Sequence, residues 1–331
     1  MTDRPALRLA TRGSPLALWQ AERVAGLLRG TGVASSLTVV ETDGDRRADV
    51  SLDRLGGRGI FVKEVQAAVA RGDADAAVHS AKDLPSDPEL SVPGLVLAAF
   101  PERADTRDLL VGSHLDSLPT GATVATGSAR RRVQLANFRP DLTFSGLRGN
   151  LATRVAVAGT SSVAAVVVAK AAVDRLGWSP PDGQDSDVLS PTIMVPQVGQ
   201  GALAVECRVD DAATRAALAA IDDPEAAPLV TAERAFLAEL GGGCTLPVGA
   251  NAQWAHRPRR EAGSDPAMGA ATAPIILTAM MASADGVVML RHSSTGHDPE
   301  ELGRSVARYL LDDAGGADLA EWSPHPARVQ Q

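Results

Sequence analysis

A short apolar segment that ends abruptly in charged residues is the feature that most constrains the fold of this chain. Residues 74–80 are mostly small and apolar. They run into Lys82 and Asp83, a cation next to a carboxylate, and Pro85 then ends the segment. This pattern predicts a strand of an open α/β sheet, and such sheets bind ligands at the carboxyl ends of their strands. Lys82 and Asp83 are therefore candidate ligand-contacting residues.

The first two thirds of the chain alternate short apolar runs with helical segments. Ser14 is a good N-cap and Pro15 suits the first helical position, so a helix is predicted from there to about Gly30. The run 163–169 is almost continuously apolar, which is typical of a strand covered on both faces. We predict further strands at 7–11, 37–41, 74–80, 123–126 and 142–147, and helices at 62–70, from Ser128 and from Asn150. Such alternation with short loops favours an α/β fold with two open, mostly parallel sheets.

Two segments, 100–105 and 191–196, are predicted to cross between these two sheets as a double hinge. The topology resembles that of periplasmic binding proteins, in which a ligand binds in the cleft between two domains. The last third predicts a helix at 228–240, strands at 275–281 and 287–291, and a helix at 299–311, which together form a small α+β domain. Residues 256–274 are predicted to be a mobile insertion. The predicted domains are 1–100 with 197–219, then 101–196, then 220–331.

Composition excludes several classes of protein. The 331 residues carry a net charge of −8, which argues against general binding to nucleic acid or anionic membranes. No stretch reaches the ~18 apolar residues of a membrane span, and the first residues lack a signal-peptide core. Cys207 and Cys244 are the only cysteines, so we expect a cytoplasmic protein without zinc. The glycine-rich stretches 56–59 and 198–201 match no phosphate loop, and 43–45 lacks the rest of a calcium loop.

Five motifs follow one another along almost the whole chain. They are ATRGSPLALWQ (10–20), GGRGIFVKE (56–64), AVHSAKDLP (77–85), LRGN (147–150) and GGGC (241–244). In this order and spacing they resemble the motifs of the porphobilinogen deaminase (hydroxymethylbilane synthase) family.

The resemblance implies a transferase of tetrapyrrole (porphyrin and heme) biosynthesis. This family joins four porphobilinogen molecules head to tail, with loss of ammonia at each step, to give hydroxymethylbilane. Asp83 matches the catalytic aspartate, whose carboxylate would stabilise cationic pyrroles and shuttle protons. Cys244 matches the cysteine that holds one dipyrromethane cofactor per chain through a thioether, and Gly242 and Gly243 would let this loop approach it closely. Cys207 is expected to be an inert buried thiol.

Porphobilinogen carries an acetate and a propionate, which explains the many cations that the resemblance assigns to the site. Arginine suits them because its planar guanidinium binds a carboxylate in a bidentate manner, and a helix start also favours anions. The implied cofactor-binding residues are Lys82, Ser128, Arg130, Arg131, Thr126 and Asp45. The implied substrate-binding residues are Arg12, Ser14, Arg148, Arg154, Arg175, Gln200 and Phe61, and the implied flexible-loop cations are Arg54 and Arg58.

The chain departs from the family pattern at several positions. Arg54 and Arg58 stand where lysine is common, Gly127 replaces a hydroxyl residue, Gly241 replaces an acidic residue and Ala164 replaces an aspartate. Since Ser128 and the helix start remain, we expect Gly127→Ser to leave activity unchanged or to raise it modestly.

Two alternatives stay open at this point. One is a diverged paralogue with low activity, and the other is a two-lobed, non-enzymatic ligand-binding protein. The resemblance implies a monomeric enzyme that acts on the small molecule porphobilinogen. It also leads us to expect that the product is handed over to a uroporphyrinogen synthase.

Overall fold

The computed structural model of the protein describes residues 6–42, 62–87, 90–241, 247–256 and 273–319. The strands are β1 (Leu7–Arg12), β2 (Ser35–Val40), β3 (Ala76–Ser80), β4 (Leu95–Ala99), β5 (Asp108–Val111), β6 (Thr123–Ala125), β7 (Thr143–Ser145), β8 (Ala165–Ala169), β9 (Ser186–Leu189), β10 (Leu203–Arg208), β11 (Val248–Trp254), β12 (Ile275–Ala282) and β13 (Met289–Gly296). The helices are α1 (Pro15–Gly30), α2 (Lys63–Arg71), α3 (Ala129–Phe138), α4 (Leu151–Val155), α5 (Lys170–Arg175), α6 (Ala212–Ala219), α7 (Ala227–Glu239) and α8 (Pro299–Arg308).

The chain divides into two compact units, of which the first comprises Met1–Ala104 and Gly201–Pro228. Its five-stranded sheet has the order β2-β1-β3-β10-β4. β1 is parallel to β2 and β3, and β10 runs antiparallel to both of its neighbours. α1 and α6 supply side chains to the core on one face, and α2 supplies those on the other. Burial on both faces explains why the central strands β1, β3 and β10 are rich in apolar residues.

The second unit comprises Asp105–Gln200 and Leu229–Gln331. Its larger sheet has the order β7-β6-β8-β5-β9, in which β6 is parallel to β7 and β8 while β5 runs antiparallel to β8 and β9. Side-chain caps start α3 and α4: Ser128 accepts from the N–H of Arg131, and Asn150 accepts from the N–H of Thr153. Both caps lie just beyond the carboxyl end of a parallel strand, so the sequence turns into a helix where a ligand site can form.

A third sheet, the antiparallel meander β11-β12-β13, also lies in the second unit. It packs with α7 and α8 around a core that contains Phe236, Ile275, Leu277 and Val306. Two α/β sheets and a small C-terminal sheet with its own helices confirm the predicted fold class. The expectation of mostly parallel sheets was wrong, because each α/β sheet has two parallel and two antiparallel pairings. Among the residues described, no helix is both long and apolar enough to cross a membrane.

The sequence predicts the parallel strands and the helix starts better than the remaining elements. The sequence analysis did not predict β4, β5, β9, β10 and β11. β4, β5 and β9 have only four or five residues, whereas β10 and β11 contain polar residues such as Glu206 and Asn251 that interrupt the apolar pattern. β13 begins at Met289 and continues to Gly296, beyond the predicted end at residue 291, since its serine, threonine and histidine side chains hide the strand pattern. α8 ends at Arg308, and the chain continues to Asp313 as a π-helical turn. The three-domain boundaries stay a prediction.

Candidate active site

Asp83 lies in a 3₁₀ turn, Ala81–Asp83, that follows β3 directly. The backbone N–H of Ala81 donates to the carbonyl oxygen of Ala202 at 3.0 Å, which fixes the start of the turn. Ala81 is buried, whereas Asp83 is exposed and Lys82 is half-buried. The strand therefore ends by presenting the carboxylate of Asp83 to solvent at the carboxyl edge of the sheet.

The ends of β1 and β3 border an open pocket in the first unit. These strands are parallel neighbours, so their carboxyl ends lie at the same edge of the sheet. The polar residues that line this Asp83 pocket are Arg12, Ser14, Gln20, His79, Ser80 and Asp83. The structure thus brings together Arg12, Ser14 and Asp83, three residues that were predicted from separate motifs.

Helix α1 is tied to this pocket at two points. Ser14 caps the helix, and its Oγ accepts from the N–H of Ala17 at 3.3 Å. Gln20, which is 3% exposed, donates from Nε2 to Oγ of Ser80 at 2.7 Å. Gln20 was not predicted as a site residue, although it closes the motif that also contains Arg12 and Ser14. Its place as the last residue of the ATRGSPLALWQ motif was the available signal.

A buried titratable pair lies behind the pocket. Nε2 of His79 is 3.0 Å from Oε2 of Glu206, but the two atoms are not aligned for a hydrogen bond. Gln66 on α2 donates to the same Glu206 oxygen at 2.9 Å. Sequence reasoning missed this arrangement because its members are widely separated along the chain. The pair places polar groups between α2 and the sheet, where the buried core residues are alanine and valine.

In the second unit, the carboxyl end of β6 leads into helix α3. The backbone N–H of Ser128 donates to Oγ1 of Thr126 at 3.2 Å, and Ser128 in turn caps α3. Arg130 and Arg131 occupy the first turn of this helix and are only 3% and 7% exposed. Sequence analysis expected these arginines to line a ligand site, and the structure shows that most of each side chain is enclosed by protein.

The two arginines converge on Asp108, the first residue of β5, which is fully buried. Arg130 Nη2 donates to Asp108 Oδ2 at 2.8 Å, and Arg131 donates from Nε and Nη2 to Oδ1 at 3.1 and 2.7 Å. The remaining Nη1 atoms donate to the carbonyl oxygens of Val195 and Val167. Burial opposes the ionisation of Asp108, but the two guanidinium charges outweigh it and lower the pKa of Asp108 to about 2. Burial also lowers the pKa of Arg130.

Gln200 joins the same group of side chains. Its Nε2 donates to Oδ1 of Asp108 at 3.0 Å and to the carbonyl oxygen of Thr106 at 2.7 Å. We call Asp108, Arg130, Arg131 and Gln200 the Asp108 cluster. Gln200 was predicted as a substrate-binding residue, and in this structure its amide nitrogen is engaged by the protein itself.

The other predicted arginines of this unit lie on three different elements. Arg148 is exposed in the turn between β7 and α4. Arg154 on α4 donates from Nε to the carbonyl oxygen of Gly149 at 2.8 Å. Arg175 is buried at the end of α5. Asp45, Arg54, Arg58, Phe61 and Cys244 lie outside the described residues, as does nearly all of the predicted insertion 256–274.

Comparison with known families identifies the family of the chain that carries these sites. Residues 7–216 match the family model "Porphobilinogen deaminase, dipyromethane cofactor binding domain", and residues 227–312 match "Porphobilinogen deaminase, C-terminal domain". The chain belongs to the porphobilinogen deaminase family. This confirms the resemblance on which the sequence analysis relied.

Curated relatives agree with the family models. The porphobilinogen deaminase of Acidothermus cellulolyticus is 44% identical over 328 residues, covering 96% of this chain and 92% of the relative. That of Brevibacillus brevis is 40% identical over 320 residues, covering 95% and 96%. Among solved structures, the second substrate-binding domain of Lactococcus lactis GlnP reaches a TM-score of 0.41 at 10% identity, covering 67% of this chain and 90% of that domain.

Cys244, the predicted attachment residue for the cofactor, lies outside the described residues, whereas nearby Gly249 is described. A Cβ placed on Gly249 would lie 2.7 Å from the carbonyl oxygen of Pro196 and 3.2 Å from Cδ of Arg130. Gly249 therefore packs directly against the Asp108 cluster, five residues after Cys244. Cys207, by contrast, is fully buried in β10, and burial raises the pKa of its thiol to about 11.

Gly127 is one of the departures from the family pattern, and its surroundings bear on the expected effect of serine. A Cβ at this position would lie 2.9 Å from the carbonyl oxygen of Leu147, a backbone atom that cannot rotate away. This contact argues against the expectation that Gly127→Ser is neutral or favourable. Gly241, another departure, has a φ of +63°, a left-handed conformation that favours glycine over the acidic residue of the family pattern.

Proposed function

We propose that this chain is a hydroxymethylbilane synthase, which condenses four porphobilinogen molecules head to tail and releases ammonia at each step. The observation that carries the proposal is the Asp83 pocket, where a carboxylate, a guanidinium and a capping hydroxyl meet at one sheet edge in a member of this family. This combination suits a substrate that develops positive charge on its ring and bears carboxylate side chains.

Asp83 acts on the reacting pyrrole. The C–N bond of the aminomethyl arm breaks, ammonia leaves with the electron pair, and the carbon that remains is electron-poor. A carboxylate nearby stabilises this positive charge. The free α-carbon of the growing chain then forms the new C–C bond, and its proton passes to a base, for which Asp83 is the exposed carboxylate of the pocket. Arg12 holds a substrate carboxylate beside it.

The dipyrromethane cofactor supplies the primer to which the first substrate is joined. The Asp108 cluster fits such a group, because it contains two guanidinium groups and one carboxylate and so retains a net positive charge. Arg130 Nε is a buried donor without an acceptor among the described residues. We assign Cys244 as the thioether attachment point, supported by the position of Gly249 against Arg130.

Intact mass of the purified chain, combined with peptide mapping, tests this function. We expect an excess over the sequence mass that maps to Cys244, together with release of ammonia from porphobilinogen. Cys244→Ser should abolish both, whereas the matched variant Cys207→Ser should keep both. An active protein with an unmodified Cys244 would refute the attachment. If both the mass excess and the product are absent, the non-enzymatic binding protein is favoured. A chain that carries the cofactor mass but forms no product would favour the diverged paralogue.

Cytoplasmic location, a monomeric state and delivery of the product to a uroporphyrinogen synthase remain predictions. The reducing compartment is supported by the unpaired, buried Cys207.

A further inference from the structure

Asp108 stands out among the carboxylates of the described residues because three separate side-chain donors meet on it. Arg130 and Arg131 come from α3, and Gln200 comes from the segment that follows β9, 92 residues along the chain from Asp108. One carboxylate thus links the arginines assigned to the cofactor with the glutamine assigned to the substrate. No motif of the sequence analysis contained Asp108.

The charges of the Asp108 cluster do not cancel. Two cations face one anion in a site where the carboxylate is fully buried and the guanidinium groups nearly so. Burying the second guanidinium charge is costly unless a further anion compensates it. The excess positive charge and the unpartnered Nε of Arg130 both complement a carboxylate supplied from outside the protein.

We propose that Asp108 is a positioning residue, whose carboxylate fixes Arg130, Arg131 and Gln200 in one array that receives a carboxylate group of the cofactor or of the substrate. This inference rests on the proposed function. Asp108 itself touches neither ligand, since its oxygens are occupied by the three donors. It sets where the guanidinium groups point and how much positive charge remains for the ligand.

The test uses Asp108→Asn, which removes the charge and keeps the shape, and Asp108→Glu, which keeps the charge and moves it by one methylene. Asp141→Asn is the matched control, because Asp141 also pairs with an arginine, Arg139, but in a pair whose side chains are both partly exposed. Each full-length variant is measured for the fraction that carries the cofactor mass, for KM and kcat with porphobilinogen, and for its thermal midpoint.

We expect both Asp108 variants to lower the cofactor-loaded fraction and to raise KM in the loaded protein roughly tenfold or more, since charge-assisted hydrogen bonds are misplaced. Loss of loading alone would assign the array to the cofactor, and a raised KM alone would assign it to the substrate. Asp141→Asn should match the wild type in both measurements.

The proposal is overturned if a folded Asp108 variant shows full loading and a KM within about twofold of the wild-type value, whatever its thermal midpoint. It is equally overturned if neither variant folds, because Asp108 would then serve folding alone. A wild-type protein without cofactor mass or product refutes the proposed function instead, so the two failures are distinct.

Discussion

The side-chain amide of Gln20 donates a 2.7 Å hydrogen bond to the hydroxyl of Ser80, which joins the middle of α1 to the end of β3. Ser80 directly precedes the turn that carries Asp83. Because Gln20 is buried, Ser80→Ala leaves its amide without this acceptor, and we expect a loss of about 1–3 kcal/mol in the free energy of unfolding. Urea denaturation measures this loss. Ser36→Ala, at an exposed position of β2, is the control, and equal stability of both variants would contradict the prediction.

Asp83→Asn should lower kcat by roughly 10²-fold or more, the scale expected when a preorganised charge near the reacting atoms is removed. Asp83 is exposed, so the variant should keep the thermal midpoint of the wild type. Steady-state kinetics on cofactor-loaded protein provide the measurement. Asp73→Asn, which removes a surface carboxylate paired with Arg71, should be fully active. A near-normal kcat in Asp83→Asn would remove Asp83 from the chemistry.

Arg148→Leu should reduce formation of hydroxymethylbilane while leaving the thermal midpoint unchanged, because Arg148, the second residue of the LRGN motif, is exposed. Arg131→Leu should reduce both, since it also leaves the buried Asp108 with fewer partners. Product assays and thermal unfolding on the same samples separate the two cases. Arg304→Leu, on the surface of α8, should change little, and so should Arg259→Leu, in the predicted insertion outside the described residues. Equal losses in all four variants would show that bulk charge is responsible.

Gly127→Ala is expected to destabilise the protein by about 1–3 kcal/mol, because a Cβ there overlaps the carbonyl oxygen of Leu147 and the backbone must move. Gly146 provides a close control: a Cβ on that residue meets nothing within 4 Å. Chemical denaturation of Gly127→Ala and Gly146→Ala compares them. If the two variants are equally stable, the space at Gly127 is larger than the geometry indicates.

Acid should weaken the protein partly through Asp108. Its pKa is about 2 in the folded chain against an ordinary value of 3.8, so the folded state binds this proton more weakly than the unfolded state does. The stabilisation is therefore complete above about pH 4 and is lost as the pH falls toward 2, and it amounts to roughly 2 kcal/mol. We expect the difference in the free energy of unfolding between wild type and Asp108→Asn to shrink by roughly 2 kcal/mol as the pH falls from about 4 to 2. A gap that is independent of pH would contradict the assignment.

The features of this fold that depend on residues close together in the sequence were predictable. Ser14, Ser128 and Asn150 start helices through caps that act within three residues, and the sequence shows them directly. The contacts of Asp108 were not predictable in this way, because Arg130, Arg131 and Gln200 are 22, 23 and 92 positions away. The same holds for Glu206 and His79, whose proximity depends on the pairing of β10 with β3.

The position of β10 has a consequence for the order in which the protein can form during its synthesis. β10 lies between β3 and β4, so β4 has no strand partner in its sheet until residues 203–208 have been made. All five strands of the second α/β sheet precede β10 in the chain. Of the two α/β sheets, the one that starts first on the ribosome is therefore completed second. A nascent chain that stops before β10 should expose one edge of β3 and both edges of β4 to proteases and to other chains.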